Sequence, residues 1–208
     1  IFSFLKKYFK DKDVVKINKF SALVTAGPTR EYIDPVRYIS NESSGKQGYE
    51  IALALSKLGI KTTLISGPSN INFSKDLKIK NVISSEEMFK KVKESLPVDI
   101  AVCAAAVVDF KPIKIKRNKL KKNDKRTLSI NLEKNLDILE FLGKNNKYRP
   151  KIVVGFAAET ENVIENSKKK LKDKYCDLIV ANDFSHKDSG FNVDYNMVTI
   201  IKVIVMTS

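Results

Sequence analysis

Apolar positions along the chain recur at two spacings, and their alternation predicts the class of fold. Short apolar runs such as residues 20–26 (FSALVTA) have the length of buried strands, whereas apolar residues 51, 52, 54, 55 and 58 have the spacing of a helix. The same alternation continues towards the end of the chain. Strands that alternate with helices favour a mainly parallel sheet covered on both faces, so we predict an α/β fold of three layers.

Turn and capping residues divide this pattern into elements. Strands are predicted at residues 20–26, 61–66, 99–108, 127–133, 152–157, 177–182 and 197–205. Helices are predicted at residues 44–58, from the cap at 84 to about 95, from about 137 to 144, and at 163–174. Ser43 or Ser44 is the expected N-cap of the first helix and Gly59 its stop, while Ser84 and Glu87 form a capping box.

Two segments depart from the alternation. Residues 110–126 are rich in lysine and lack periodicity, so we expect a flexible, lysine-rich flap there. Phe2, Leu5 and Phe9 have helical spacing among lysines, which suits a membrane-surface helix or a connecting helix packed on its own protein; we favour the second. Residues 1–19 are therefore interpreted as a linker with an N-terminal helix.

Length and cysteine content limit the class of protein. The 208 residues suffice for one globular domain with a buried core, and no apolar run reaches the roughly 18–20 residues that span a bilayer. Cys103 and Cys176 are too few for a disulfide framework or a metal cluster. We expect reduced thiols in a cytoplasmic protein that has no membrane partner.

The formal net charge of +14 raises the question of a nucleic-acid partner. Only five of the 38 basic side chains are arginine, the residue that base edges and bidentate phosphate contacts favour. A lysine-rich solvated surface explains the charge, and we predict no nucleic-acid binding. The lysines of residues 111–125 are a separate case, because they could meet a polyphosphate.

Small and polar residues mark the carboxyl ends of five predicted strands. These endings read TAGPTR, SGPSN, AAAVVDF, GFAAET and ANDFS. Ligands of open parallel sheets bind beyond the carboxyl ends of the strands, and small residues let a ligand approach the backbone closely. Five such endings at one edge indicate a site of nucleotide size.

The segment before the first helix, residues 39–48 (ISNESSGKQG), is a candidate phosphate site. Ser43, Ser44 and Gly45 lie at the expected helix N-terminus, where free backbone N–H groups and the helix dipole favour an anion. The spacing matches neither the P-loop nor the dinucleotide-binding fingerprint. The alternative is an ordinary helix that is capped by serine and binds no phosphate.

Other charged candidates also have plain alternatives. Lys119, ten residues after Asp109, could fold over a polyphosphate, or it could belong to a solvated run of charges. Lys170 and Lys174 share one face of a predicted helix, and they too could be solvated surface. His186 is the only histidine, and we do not expect it to act as a catalytic base.

From about residue 20 to about residue 200, nine motifs in order closely resemble those of bacterial phosphopantothenoylcysteine synthetases. They lie at residues 23–30 (LVTAGPTR), 33–41 (IDPVRYISN), 43–48 (SSGKQG), 64–68 (LISGP), 104–110 (AAAVVDF), 118–122 (NKLKK), 134–137 (KNLD), 155–160 (GFAAET) and 181–183 (AND). The resemblance implies a Rossmann-like fold over residues 20–208. Members of the family usually continue past the last strand, so the resemblance also implies a shortened C-terminus.

The resemblance implies a ligase of coenzyme A biosynthesis, unrelated to the ATP-grasp enzymes, with Mg²⁺ as cofactor. The carboxylate of 4′-phosphopantothenate attacks CTP to give an acyl-cytidylate and pyrophosphate, and the amine of L-cysteine then displaces CMP. Whether the nucleotide is CTP or ATP is not decided by the composition. Family members dimerise, and in bacteria this domain commonly follows a flavin-dependent decarboxylase, so we expect a homodimer without FMN in this domain.

The resemblance also implies roles for particular residues. Asn41 would contact the acyl-cytidylate, and Lys119 would be the flap lysine needed to form it, with Lys116, Lys121 and Lys122 as alternative registers. The implied nucleotide-binding positions are Gly27, Ser43, Ser44, Gly45, Ala104, Ala105, Asp109, Lys134, Asn135, Leu136, Asp137, Phe156, Lys170 and Lys174. Leu136 replaces a proline found in many relatives, a change from which we expect little effect. Magnesium would be held mainly by the nucleotide phosphates.

The sequence also bears on three other classes of protein. A Rossmann-like oxidoreductase predicts a glycine fingerprint after the first strand, where the chain has Gly27-Pro28 instead. A non-catalytic nucleotide-binding relative is compatible with the short C-terminus. A nucleic-acid-binding module is suggested by net charge alone, and the scarcity of arginine argues against it.

Overall fold

The computed structural model describes residues 19–121, 127–144, 147–159, 161–183 and 198–203. The strands within these ranges are β1 (Ser21–Ala26), β2 (Glu31–Tyr32), β3 (Tyr38–Ile39), β4 (Lys61–Ser66), β5 (Lys78–Asn81), β6 (Ile100–Cys103), β7 (Phe110–Pro112), β8 (Leu132–Lys134), β9 (Ile152–Glu159), β10 (Leu178–Asp183) and β11 (Val198–Lys202). The helices are α1 (Lys46–Lys57), α2 (Ser85–Ser95), α3 (Ile138–Gly143) and α4 (Val163–Asp173).

Seven of these strands form one sheet in the order β11–β10–β9–β6–β1–β4–β5. Every neighbouring pair is parallel except β10 with β11, which is antiparallel. The predicted mainly parallel sheet is therefore confirmed, with β6 at its centre and the short strand β5 at one edge. The carboxyl ends of β1, β4, β6, β9 and β10 all meet at one edge of the sheet, as parallel strands require.

Helices cover both faces of the sheet. Tyr49, Ala52 and Leu55 of α1 pack in one apolar cluster with alternate residues of the central strands, among them Val24 and Leu64. The intervening residues of the same strands face a second cluster, which contains residues of α2, α3 and α4. This two-residue alternation is the pattern of strands buried on both faces, and it gives the predicted three layers.

The start of α1 differs from the prediction. Gly45, not a serine, is the N-cap of this helix, and its backbone adopts a left-handed conformation with φ of 79°. The hydroxyls of Ser43 and Ser44 instead accept hydrogen bonds from the amides of Gly45 and Lys46, at 3.3 and 3.4 Å. The predicted serine cap is therefore wrong, because the left-handed turn requires glycine at the position that caps the helix.

The predicted stop at Gly59 is confirmed, and the capping box of α2 is confirmed in one of its two hydrogen bonds. Gly59 follows α1 with φ of +85°, as a helix-terminating glycine does. The amide of Glu87 donates to Ser84 Oγ at 3.2 Å at the start of α2. The carboxylate of Glu87 accepts the amide of Ile83 at 2.7 Å, one residue before the position expected for a capping box.

Several strands are shorter or arranged differently than predicted. β6 ends at Cys103, although its apolar run continues to residue 108. The strand predicted at 127–133 is limited to β8, which pairs with β7 in a separate two-stranded ribbon. A second ribbon, β2–β3, and the edge strand β5 were not predicted. Two-residue strands are too short for a periodicity signal, which explains the missed β2–β3 ribbon.

Some predictions concern residues outside the described ranges. They are the linker with its helix at residues 1–18, the flap residues 122–126, residues 160, 184 and 185 of two strand endings, His186, and positions 197, 204 and 205 of the predicted last strand. Within the described ranges, no helix combines the length and apolar character needed to cross a bilayer.

Candidate active site

The loops after β1 and β4 are in direct backbone contact at the carboxyl edge of the sheet. The amide of Gly67 donates to the carbonyl of Ala26 at 2.9 Å. A Cβ atom at Gly67 would lie 1.8 Å from the carbonyl oxygen of Pro28, so no residue with a side chain fits there without displacing the backbone. The turns at Gly27 and Gly67 thus form one surface, which we call the glycine floor.

The N-terminus of α1 stands directly on this floor. A Cβ at Gly45 would lie 2.9 Å from the Cα of Gly27, and the hydroxyl of Ser69 in the second loop donates to the carbonyl of Ser44 at 2.9 Å. The first turn of α1 contains no acidic residue. The positive end of the helix dipole and the backbone N–H groups of this first turn therefore favour an anion at the position where the sequence indicated a phosphate.

Asn41 joins this region to the small residues that follow β6. Its side-chain Nδ2 donates to the carbonyl of Ala106 at 2.9 Å. The amide of Ala104 donates to the carbonyl of Thr25 at 3.2 Å, and that of Ala106 donates to the carbonyl of Gly27 at 3.0 Å. The chain after β6 thus continues along the loop of β1, and it brings residues 104–106 against both Gly27 and Asn41.

Residues 134–137 extend the same network. The amide of Asn135 donates to the carbonyl of Asp109 at 2.8 Å, and its side-chain Nδ2 donates to the carbonyl of Val108 at 2.6 Å. Lys134 and Leu136 are exposed on either side of it. Asp137 then caps α3 by accepting the amide of Glu140 at 2.8 Å.

Phe156 reaches the same edge through the sheet. Cys103, the last residue of β6, is paired with Thr25 of β1 and with Gly155 of β9. Phe156 follows Gly155 and therefore lies one residue beyond the end of β6, towards the carboxyl edge of the sheet. Its ring is half-buried and packs, like Ala104, against the core on the α1 face. The ending GFAAET lies largely within β9, which extends to Glu159 rather than ending at residue 157.

Lys170 lies on α4 and Lys174 caps its C-terminus, on the face of the sheet opposite to α1. Lys174 Nζ is 2.9 Å from Asp137 Oδ2 and 2.8 Å from Glu140 Oε2. Lys170 is half-buried, and its positive charge acts on the pKa values of both Cys103 and Cys176. Lys174 is thus already paired with Asp137, another predicted nucleotide-binding residue, and a nucleotide would have to share or replace that contact.

The Glu140 carboxylate is the most strongly paired acid of this group. Hydrogen bonds from Lys144 and then Lys174 lower the pKa of Glu140 to about 2. A lowered carboxylate pKa stabilises the fold above the ordinary value of 4.5, and that contribution is lost as the pH falls through the folded value.

We therefore expect Glu140→Gln to destabilise the protein at pH 7 and to cost progressively less as the pH falls from about 4.5 to about 2. Urea unfolding of both proteins across this range measures the difference. Glu50→Gln, at an exposed position of α1, is the matched control and should show no such convergence. A Glu140→Gln penalty that is constant with pH contradicts the assigned ion pairs.

Lys119 lies apart from this network. It is exposed, in the stretch 113–121 that has no regular structure. The next residue, Leu120, is held at both of its peptide groups: its amide donates to Asp34 Oδ2 at 3.0 Å, and its carbonyl accepts Arg37 Nη2 at 2.9 Å. The sequence predicted a flexible flap in the lysine-rich segment. The structure instead attaches the described part of this segment to the turn between β2 and β3.

Asp34 was not among the candidate residues identified from the sequence. It is fully buried, and the hydrogen bond from the Arg37 guanidinium holds the pKa of its carboxyl well below the usual range. Its sequence signal was present in the motif IDPVRYISN, but only Asn41 of that motif was assigned a function.

Asn182, at the carboxyl end of β10, was also missed. Its Nδ2 donates to Gln47 Oε1 of α1 at 3.3 Å. Its buried Oδ1 has no hydrogen-bond partner among the described residues. Its signal was the motif AND, to which no role was given.

The described residues support neither a cysteine nucleophile nor a metal site formed by protein side chains. Burial raises the pKa of the Cys176 thiol to about 12 and also raises that of Cys103, so neither is a thiolate nucleophile at neutral pH. No group of three histidine, cysteine or acidic side chains suited to a metal ion occurs in the described part of the chain.

The sequence matches the family described as the DNA/pantothenate metabolism flavoprotein C-terminal domain over residues 17–206. The Coenzyme A biosynthesis bifunctional protein CoaBC of Haemophilus influenzae is 44% identical over 197 residues, which are 94% of this chain and 48% of that protein. The CoaBC protein of Bacillus subtilis is 41% identical over the same shares of both chains. This chain therefore spans about half the length of these curated relatives.

Solved structures share the fold. The crystal structure of the C-terminal domain of CoaBC has a TM-score of 0.70 and 36% identity, covering 90% of this chain and 87% of that chain. A complex of a Cab2 mutant with phosphopantothenate-cysteine has a TM-score of 0.68 at 16% identity, covering 97% and 85%, and shows a common fold alone. By the family match over residues 17–206, the chain belongs to the family of the DNA/pantothenate metabolism flavoprotein C-terminal domain.

Proposed function

We propose that this chain is a phosphopantothenate–cysteine ligase of coenzyme A biosynthesis. The observation that carries the proposal is the contact of Asn41 with Ala106, at 2.9 Å, beside the glycine floor and the N-terminus of α1. It brings a side-chain amide, the half-buried backbone after β6 and a helix N-terminus suited to an anion together at one edge of the sheet. The name CoaBC of the relatives that are 41–44% identical supports the same reaction.

The reaction has two steps. A carboxylate oxygen of 4′-phosphopantothenate attacks the α-phosphorus of CTP, and the bond to the β-phosphate oxygen breaks as pyrophosphate leaves with its electron pair. The amine of cysteine then attacks the acyl carbon of the mixed anhydride and expels CMP, losing a proton to water. Positioning and charge neutralisation can drive both steps, so no side-chain nucleophile is needed.

Each proposed residue has a part in binding or charge neutralisation. The N–H groups at Gly45 and the first turn of α1, with the hydroxyls of Ser43 and Ser44, bind phosphate oxygens. Asn41 Nδ2 contacts the acyl-cytidylate, while Lys119 neutralises the charge that develops on the departing pyrophosphate. The remaining nucleotide-binding assignments are Gly27, Ala104, Ala105, Asp109, Lys134, Asn135, Leu136, Asp137, Phe156, Lys170 and Lys174.

Magnesium would enter with the triphosphate. No group of three histidine, cysteine or acidic side chains suited to a metal ion occurs among the described residues, and Mg²⁺ usually keeps several waters and substrate phosphates as ligands. The ion supplies neutralisation of phosphate charge when bound. FMN is not expected in this domain.

We further infer a homodimer and, in the full-length protein, a fused flavin-dependent decarboxylase domain. Support for the dimer comes from the β7–β8 ribbon and its flanking chain, which expose large apolar side chains: Phe110, Ile113, Ile115, Leu128, Ile130 and Leu132. Exposed large apolar side chains close together in one ribbon suit contact with another protein surface. Support for the fusion comes from the word bifunctional in the names of relatives of twice this length. The two free thiols fit the proposed cytoplasmic location.

We expect the chain to convert phosphopantothenate, CTP and cysteine into pyrophosphate, CMP and the ligated product when Mg²⁺ is present. Product release measured with and without cysteine separates the steps, because pyrophosphate should form without cysteine. A thermal-shift comparison of CTP with ATP identifies the nucleotide. Nucleotide binding without pyrophosphate formation would instead identify a non-catalytic relative and would refute the proposed ligase.

A further inference from the structure

We propose that Asp34 is a positioning residue that fixes Lys119 in its reactive place by holding the peptide group between Lys119 and Leu120. The inference rests on the proposed role of Lys119 in pyrophosphate formation. It concerns a residue that lies in the turn between β2 and β3 and has no proposed contact with substrate.

The carboxylate of Asp34 organises its own turn first. Its Oδ1 accepts the amides of Val36 and Arg37, both at 2.9 Å, and its Oδ2 accepts the guanidinium of Arg37 through Nε at 3.0 Å and through Nη2. The Asp34 side chain is completely buried, although the Arg37 side chain that it binds remains 43% exposed. A buried carboxylate with this many donors is fixed in position.

The same carboxylate then reaches across to the lysine-rich segment. Asp34 Oδ2 accepts the amide of Leu120, which belongs to the planar unit that also contains the Cα of Lys119. Arg37 holds the next peptide unit through the carbonyl of Leu120, and the amide of Lys116 donates to the carbonyl of Ile33 at 2.9 Å. Three hydrogen bonds therefore attach residues 116–120 to residues 33–37.

The β2–β3 hairpin connects this attachment to the rest of the proposed site. Its tip carries Asp34, and the chain after β3 leads directly to Asn41, which is docked on Ala106. Ser40 Oγ also donates to the carbonyl of Thr29 at 2.8 Å and closes the base of the hairpin. One short ribbon thus holds both proposed catalytic residues, one at each end.

The role predicts a specific defect in Asp34→Asn. The amide side chain keeps one acceptor for the turn but presents an N–H₂ group in place of the second oxygen, so it cannot satisfy both Arg37 and Leu120. We expect the turnover number of the pyrophosphate half-reaction to fall at least about tenfold, since misplacement by about 1 Å can cost roughly 10²-fold. The KM for CTP should change by less than about threefold.

Amide hydrogen exchange supplies a readout that is independent of activity. In Asp34→Asn the amide of Leu120 should exchange at least about tenfold faster, while the amides of β1 stay protected. Asp99→Asn is the matched control: Asp99 also accepts a backbone amide, that of Ser21 at 2.9 Å, but lies before β6 at the opposite edge of the sheet. It should keep the wild-type rate.

Three results would overturn the proposal. One is an Asp34→Asn rate equal to that of Asp99→Asn, and another is a fall in rate while the Leu120 amide stays protected. The third is loss of protection throughout β1, which would make the role of Asp34 merely structural. Failure of the proposed function gives a different pattern, because the wild-type chain then forms no pyrophosphate at all. If only the role of Lys119 is wrong, Lys119→Gln keeps the wild-type rate, and Asp34→Asn releases the Leu120 amide without any loss of rate.

Discussion

Replacing Lys119 with glutamine should abolish pyrophosphate formation, with a fall in rate of about 10²–10³-fold or more. The positive charge of Lys119 is proposed to neutralise the leaving pyrophosphate, and loss of one such preorganised group typically costs this much. The side chain is exposed and makes no described contact that supports the fold, so unfolding should be unchanged. Pyrophosphate release without cysteine is the measurement, and denaturant unfolding verifies the fold.

Two other exposed lysines of the same segment test whether Lys119 is the lysine that takes part in the reaction. Lys116 and Lys121 are also exposed, and each is converted to glutamine in turn. We expect both variants to stay within about threefold of the wild-type rate, since screened surface charges contribute little. If Lys121→Gln or Lys116→Gln eliminates activity while Lys119→Gln does not, the reacting lysine has been assigned to the wrong position.

Gly67→Ala should cause a large loss of stability. The new methyl would lie 1.8 Å from the carbonyl oxygen of Pro28, a backbone atom that cannot rotate away. Overpacking of this kind costs about 3 kcal/mol, which lowers the melting temperature of a protein of this size by roughly 6–12 °C. Thermal unfolding measures the loss, and CTP should bind more weakly because the glycine floor must open.

Gly48→Ala is the informative control, because its nearest obstacle is a methyl group rather than a carbonyl. The added Cβ would lie 2.6 Å from Cβ of Ala26, and alanine in a helix is favoured over glycine by about 1 kcal/mol. We expect a smaller loss of stability, partly restored by combining it with Ala26→Gly. No change of melting temperature in Gly67→Ala would show that the two glycine turns are not in the contact described.

The parts of the fold that local pattern determines were predicted within a few residues. β1 and β4 follow from short strand-like runs that end at Gly27-Pro28 and Gly67-Pro68. The start of α2 follows from Ser84 and Glu87, whose partners are neighbours in sequence. The N-cap of α1 could not be predicted in this way. Gly45 takes its left-handed conformation against Gly27, a contact between distant residues.

The candidate site was predicted as a set of strand ends, and the hydrogen bonds that organise it were not. Asp34 and Leu120 are separated by 86 positions, and no periodicity or spacing relates them. The pairing of Lys174 with Asp137 is likewise a tertiary contact between residues that the sequence had assigned separately to nucleotide binding. Pattern identifies the elements, whereas such cross-connections depend on how the elements are packed.

The edge strand β5 has a consequence for how copies of the protein behave at high concentration. Its sequence is Lys-Ile-Lys-Asn, with Lys78 and Asn81 exposed and the two lysines on the same face. The outer side of an edge strand offers unpaired backbone groups to a second sheet, and lysines oppose that approach by their charge and hydration. Pairing of β5 strands from two copies would bring like charges together, in a chain whose net charge is +14. Edge-to-edge association of two sheets through β5 is therefore disfavoured.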